Sequence, residues 1–294
     1  MFTTARPRRS HLYMPGSNSR ALEKARILGA DGLIMDLEDS VAPDAKTLAR
    51  EQITQALDEG GYGQREVLVR TNGLNGPWGA DDLAAAAAMK CDGVVLPKVE
   101  SRQIVLDAIS YLDEAGARAD LPIWCMMETP LGILHAEDIA FAHDRLGGFI
   151  LGTSDLAKDL GAEHTLDRIP FMASLELCIL AGRAAGLAIL DGVHLDLEDV
   201  AGFRQSCIQG RQLGMDGKTL IHPKTIDTAN EIYAPADEEV AWSKRVIGAH
   251  AEAEKAGKGV LLIDGKLIEN LHVEQAKRLV TMADAIAAMD NAEG

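Results

Sequence analysis

Paired cysteines are missing from this chain. Its four, Cys91, Cys125, Cys178 and Cys207, stand far apart in apolar or helical surroundings, which excludes a C-x-x-C metal or redox couple and reads as reduced thiols. Positive charge is also short: 29 Lys and Arg face 45 Asp and Glu, and the formal net charge of −16 argues against nucleic acid, whose phosphates need a basic face. No apolar run approaches the roughly 20 residues that span a bilayer, and the basic opening "MFTTARPRRS" has no apolar segment behind it. The expectation is a soluble, cytoplasmic protein with no membrane partner. No glycine-rich phosphate turn follows the first strand, which counts against a doubly wound open sheet, and no G-x-S-x-G elbow or Cys/His pair offers a serine or thiol nucleophile. What the chain does have is 294 residues with 47% apolar content, enough for one large core or a large domain with a smaller appendage.

Short apolar or β-branched runs alternate with helical stretches: "HLYMPG", "GLIMDLED", "EVLVRTNG", "GVVLPKV", "PIWCMMET", "GFILGTSD", "LAILDGVH" and "GKTLIHP". Eight strand-and-helix units over about 230 residues predict a (β/α)8 TIM barrel, an α/β fold. Polar residues recur at the C-terminal ends of the runs: Asp36, Glu38 and Asp39, then Arg70 and Asn72, Lys98, Glu128, Asp155, His194 and His222. In a barrel those ends share one mouth. After residue 235 the pattern changes to a charged helix, the hairpin-like "GVLLIDGKLIEN" and a last helix. The expected division is a catalytic barrel over 1–235 and a C-terminal helical and hairpin lid extension, also an oligomerisation segment, over 236–294.

"PIWCMMETPLGI" reads as a buried strand that ends on a carboxylate, Glu128, and a buried acid needs a positive partner. At the tip of the next strand stands Asp155. Two neighbouring carboxylates repel unless a proton or cation lies between them, and all-oxygen donors favour Mg²⁺ or Mn²⁺; the alternative is that each acid pairs with a Lys or Arg. Arg70, ending "LVR", suits bidentate contact with a substrate carboxylate or else a surface salt bridge. Gly152, Thr153 and Ser154 are small enough to bring backbone N–H groups to an oxyanion. The cluster "DLEDS" is suited to hold metal-bound water, to orient Arg70 or Lys98, or to act as a base. His222 is as well suited to capping a turn as to chemistry and is assigned none.

Seven segments, "YMPGSNSRALEKA", "DLEDSVAPDAK", "VRTNG", "LPKVE", "METPLGI", "GTSDLA" and "GKTLIHP", together resemble the citrate lyase beta-subunit-like branch of the HpcH/HpaI aldolase family. The resemblance covers nearly the whole chain. That family includes malyl-CoA, citramalyl-CoA and citryl thioester lyases and (3S)-malyl-CoA thioesterases. It implies Mg²⁺ held by Glu128 and Asp155, Arg70 on the carboxylate or carbonyl of a small acid, Ser17 and Lys24 near coenzyme A, and a homotrimer or hexamer whose C-terminal segments cover a neighbour's mouth.

Two departures stand out. Asn18 occupies a position where malyl-CoA lyases usually carry Arg, and "GKLIEN" supplies Glu269 where carbon-carbon lyases present an aspartate, which is closer in look to the malyl-CoA thioesterase branch. The implied substrate is a short 3-hydroxyacyl-CoA thioester of the malyl-CoA or citramalyl-CoA type. It is cleaved by a retro-Claisen step, giving a thioester and a small oxo-acid, or hydrolysed. Glu38 or Asp39 is the candidate base and Glu269 the candidate lid acid. The other readings are a non-catalytic or carrier-dependent beta subunit of a citrate lyase complex, and a metal-dependent aldolase for free hydroxy-keto acids.

Overall fold

The computed structural model describes residues 6–255 and 261–292. Eight parallel strands, β1 (Ser10–Pro15), β2 (Gly32–Asp36), β3 (Glu66–Arg70), β4 (Gly93–Leu96), β5 (Ile123–Met127), β6 (Leu146–Leu151), β7 (Ala188–Asp191) and β8 (Gly217–Leu220), close into a barrel in chain order, with β1 pairing to β8. Each expected run overlaps one strand. Helices follow the strands, as a parallel pairing requires.

Alternation along the strands sorts the side chains into two layers. Ile34, Leu68, Val95, Met126, Ile150 and Leu190 form a closed cluster, while their neighbours Leu33, Val67, Cys125 and Met127 belong to the larger cluster shared with the helices. Each fully buried aliphatic side chain contributes about 1.5–3 kcal/mol. The N-terminal end of the barrel is ionic: Arg8 donates to both oxygens of Glu66 at 2.6 and 2.7 Å, His11 Nε2 lies 3.1 Å from the same carboxylate, and the guanidinium covers Trp124. Burial opposes ionisation of Glu66, but the bonds from Arg8 and His11 outweigh it and hold its carboxyl well below the usual range.

The chain divides into two compact units, one of them Arg8–Tyr233 and the other containing the described residues from Ala234 onward. In the second, a helix (Asp237–Lys255), strands β9 (Leu261–Ile263) and β10 (Lys266–Ile268), and a last helix (Asn270–Ala292) surround a small core of Val246, Ile268, Val273 and Ala276. Asp264 and Gly265 both adopt positive φ, the backbone that lets a two-residue turn match the strand twist. Leu262 and Leu267 face each other across this hairpin and are 67% and 51% exposed. Among the described residues no helix is long and apolar enough to cross a membrane.

Candidate active site

Five consecutive strands deliver charge to the mouth. Asp36 ends β2 and Arg70 ends β3, and the two are cross-strand partners in the sheet register. Their side chains meet in a fork: Arg70 Nε and Nη2 donate to Asp36 Oδ1 and Oδ2, each at 2.7 Å. Asp36 also accepts from Ser40 Oγ and from the backbone amides of Ser40 and Glu38. Burial works against its charge, yet Arg70 and these bonds hold its carboxyl below the usual range. Arg70 lies over the Tyr13 ring at 4.7 Å, and its remaining nitrogen, Nη1, approaches Glu38 Oε2 at 3.0 Å as an ion contact rather than an aligned hydrogen bond. The fork suited to a substrate carboxylate is therefore engaged by Asp36, and the outer nitrogen Nη1 also donates to Met126 Sδ at 3.7 Å.

Glu38 is mostly buried and burial raises its carboxyl, with Asp39 adding to the shift against Arg70 and Lys98. Asp39 is 64% exposed and reaches Arg70 Nη1 only at 3.8 Å. The loop that carries both is pinned by Lys46, whose Nζ donates to the carbonyls of Leu37 and Glu38 and to Asn72 Oδ1 at 2.7, 2.8 and 2.9 Å. The sequence pattern does not single out Lys46, because a lysine opening a helix (Lys46–Glu59) looks like a surface residue.

Glu128 follows β5 directly and is 2% exposed. Burial pushes its carboxyl up to about 7, with Glu38 adding to the effect against the amide of Lys98 and the charges of Lys98 and Arg70. Thr129 caps the short helix behind it, accepting from Gly132 N, and Pro130 occupies the first helical turn, where a missing N–H costs nothing. Gly152 makes the carboxylate's seat: a Cβ there would lie 2.4 Å from Glu128 Cβ and 2.5 Å from Oε2. The role expected for Gly152, an amide donor to an oxyanion, is not what the structure gives, because its N–H is bound to Met127 O at 3.1 Å. Thr153 and Ser154 open the helix Thr153–Leu160, whose first-turn amides lack helical acceptors, and Ser154 Oγ is buried without a partner. Asp155 lies in that first turn.

Lys98, after β4, binds this acidic set together. Its backbone N–H donates to Glu128 Oε1 at 2.8 Å, and its Nζ lies 3.2 Å from Glu38 Oε1 and 3.3 Å from Asp155 Oδ2. Burial disfavours its ammonium, but the three acids outweigh this and raise its pKa above the ordinary lysine value. Its φ of 48° is left-handed backbone, which costs a side-chain-bearing residue about 1–2 kcal/mol.

Glu128 and Asp155 fit a hard divalent ion in kind: both are oxygen donors and one is desolvated. Among the described residues no group of three or more His, Cys, Asp or Glu is gathered as a full cage, and a Mg²⁺ held here would take its other ligands from water and substrate. The histidines stand apart: His222 Nδ1 accepts from Lys224 N in a turn, and His194 lies 3.8 Å from Asp199, its pKa lowered by burial. All four cysteines are buried and free, and burial pushes the thiols of Cys91 and Cys178 up to about 11 and about 12, which disfavours the nucleophilic thiolate at neutral pH. Ser17 lies on the turn after β1, and Lys24 is exposed at the end of the helix Ser19–Lys24, which Asn18 caps by accepting from Ala21 N. Glu269 is exposed, and its backbone starts the last helix.

The family described as HpcH/HpaI aldolase/citrate lyase matches residues 9–223. A (3S)-malyl-CoA thioesterase of Cereibacter sphaeroides (strain KD131 / KCTC 12085) is 49% identical over 284 residues, 97% of each chain. The citrate lyase subunit beta of Escherichia coli (strain K12) is 36% identical over 95% of this chain and 94% of its own. The crystal structure of protein CitE from Mycobacterium tuberculosis, in complex with magnesium, acetoacetate and coenzyme A, superposes with a TM-score of 0.75 at 29% identity, covering 94% of this chain and 97% of that one.

Proposed function

Because the chain belongs to the HpcH/HpaI aldolase/citrate lyase family, we propose that it is a magnesium-dependent enzyme that hydrolyses short 3-hydroxyacyl-CoA thioesters of the malyl-CoA type. The observation that carries the reading is the convergence of a buried carboxylate, Glu128, with Asp155, Glu38 and Arg70 around one barrel mouth. The substrate class comes from the thioesterase relatives and from the magnesium and coenzyme A in the CitE crystal. Carbon-carbon cleavage of the same thioester is the second reading, favoured by the kinship to citrate lyase subunit beta.

Glu128 and Asp155 would hold the ion, which when bound supplies Lewis-acid polarisation of substrate oxygens. Arg70, fixed by Asp36, offers Nη1 to the substrate carboxylate. Glu38, anchored between Arg70 and Lys98, takes a proton from the water that attacks the thioester carbon; the C–S bond breaks, and the proton held by Glu38 passes to the departing thiolate to free coenzyme A. Asp39 is too exposed to share that role. The amides of Thr153 and Ser154 face the oxyanion, and Ser17 and Lys24 are proposed to meet coenzyme A. The barrel with its C-terminal lid assembles as a homotrimer or hexamer, with Glu269 presented to a neighbouring copy as the lid acid. The exposed Leu262, Leu267 and Leu271 support an interface on that unit. Four free buried thiols suit the reducing cytoplasm.

Incubation with malyl-CoA and Mg²⁺, followed by separation of products, tests the reading. Malate with free coenzyme A is the expected pair. Acetyl-CoA with glyoxylate moves the assignment to the lyase, and no turnover of malyl-CoA or citramalyl-CoA overturns it.

A further inference from the structure

Lys98 combines three properties that seldom meet. Its backbone takes a left-handed conformation that glycine would adopt without strain, yet the residue there carries a long side chain. That side chain is 45% exposed, so apolar packing does not account for it. Its ammonium instead bridges Glu38, on the loop after β2, and Asp155, on the helix after β6, while its own amide holds Glu128. One residue thus spans acids from three separate segments of the chain.

We propose that Lys98 is the resident counter-cation of the mouth: its ammonium holds Glu38 and Asp155 together in the metal-free protein and surrenders Asp155 to the incoming divalent ion. The inference rests on reading Glu128 and Asp155 as the metal carboxylates. Without a positive charge between them, acids at this spacing repel and the loops that carry them spread. Once displaced, the ammonium keeps its contact with Glu38 and so continues to position that carboxylate. Lys98 acts here through other residues, as a positioning group, and it lowers the affinity for the ion alone in exchange for an ordered mouth in its absence.

The test is Mn²⁺ binding to the full chain without substrate, followed by calorimetry or electron paramagnetic resonance. Lys98→Met should bind Mn²⁺ at least about tenfold more tightly, since a cation beside the site has been removed. Lys98→Arg keeps the charge and should stay within about threefold of wild type. Metal-free Lys98→Met should also melt below wild type, and saturating Mn²⁺ should close most of that gap. Unchanged or weaker Mn²⁺ binding by Lys98→Met overturns the proposal, and Lys98→Gln repeats the test if that variant does not purify. Asp155→Asn and Glu128→Gln separate the two ideas. If both bind Mn²⁺ as wild type does, the metal-site reading fails and takes this inference with it; if both lose Mn²⁺ while Lys98→Met is unchanged, Lys98 alone is wrongly assigned.

Discussion

At Glu128 the folded protein binds a proton that the unfolded chain releases near the ordinary glutamate value of about 4.3. Its folded pKa is raised to about 7, so the associated stability is fully present below about 4.3 and is lost as pH rises through about 7, a total on the order of 3–4 kcal/mol in metal-free buffer. Glu128→Gln removes that cost. The variant should melt above wild type at pH 8 in chelator and show no such advantage at pH 4, while its Mg²⁺-dependent kcat falls at least about a hundredfold, or about 3 kcal/mol. Thermal melts across pH, set beside turnover, check both halves; full activity in metal-free buffer would remove Glu128 from the site. Arg70 makes a different prediction, because its guanidinium serves Asp36 with one edge and the mouth with another. A lysine cannot do both, so Arg70→Lys should lower kcat/KM by about tenfold or more with little change in folding. A wild-type kcat/KM would leave Arg70 as scaffold only.

Among the elements, the barrel strands were legible because short apolar runs that end in charge, spaced by helical stretches, fit a barrel strand and little else. The runs around Ile34, Val67, Val95 and Cys125 all fall on strands. The carboxylates of the mouth were legible for the same reason, since an acid such as Glu128 at the end of "IWCMM" contradicts its own surroundings. What lay hidden is pairing across strands. Asp36 and Arg70 stand 34 positions apart, and only the β2–β3 register makes them partners, so a residue read as one polar tip among many proves to fix the arginine. The small size of Gly152 serves steric clearance for Glu128, and its amide is not free. Gly152→Ala should therefore displace the carboxylate, costing about 1–3 kcal/mol in stability and weakening Mn²⁺ binding together. Unchanged metal affinity with normal melting would show that the mouth accommodates the methyl group.

For the whole molecule, the proposed lid would make activity a property of the assembly. Shortening Glu269 by one methylene in Glu269→Asp should shift malyl-CoA products toward acetyl-CoA and glyoxylate, because a displacement on the order of 1 Å can change a rate about a hundredfold. An unchanged product ratio at unchanged rate would exclude Glu269. At the mouth Asp36, Glu38, Asp39, Glu128 and Asp155 outnumber the cations Arg70, Lys98 and Lys46, so acidic groups are in excess there. Coenzyme A thioesters of hydroxy acids are polyanions, and the chain as a whole carries −16. Substrate and divalent ion are then thermodynamically linked: each should tighten the other's binding by the same factor, and the order of addition should run metal first. Titrating a non-hydrolysable thioester analogue at stepped Mg²⁺ concentrations measures that factor, and an analogue affinity independent of Mg²⁺ would mean that the acids of the mouth are neutralised by some other means.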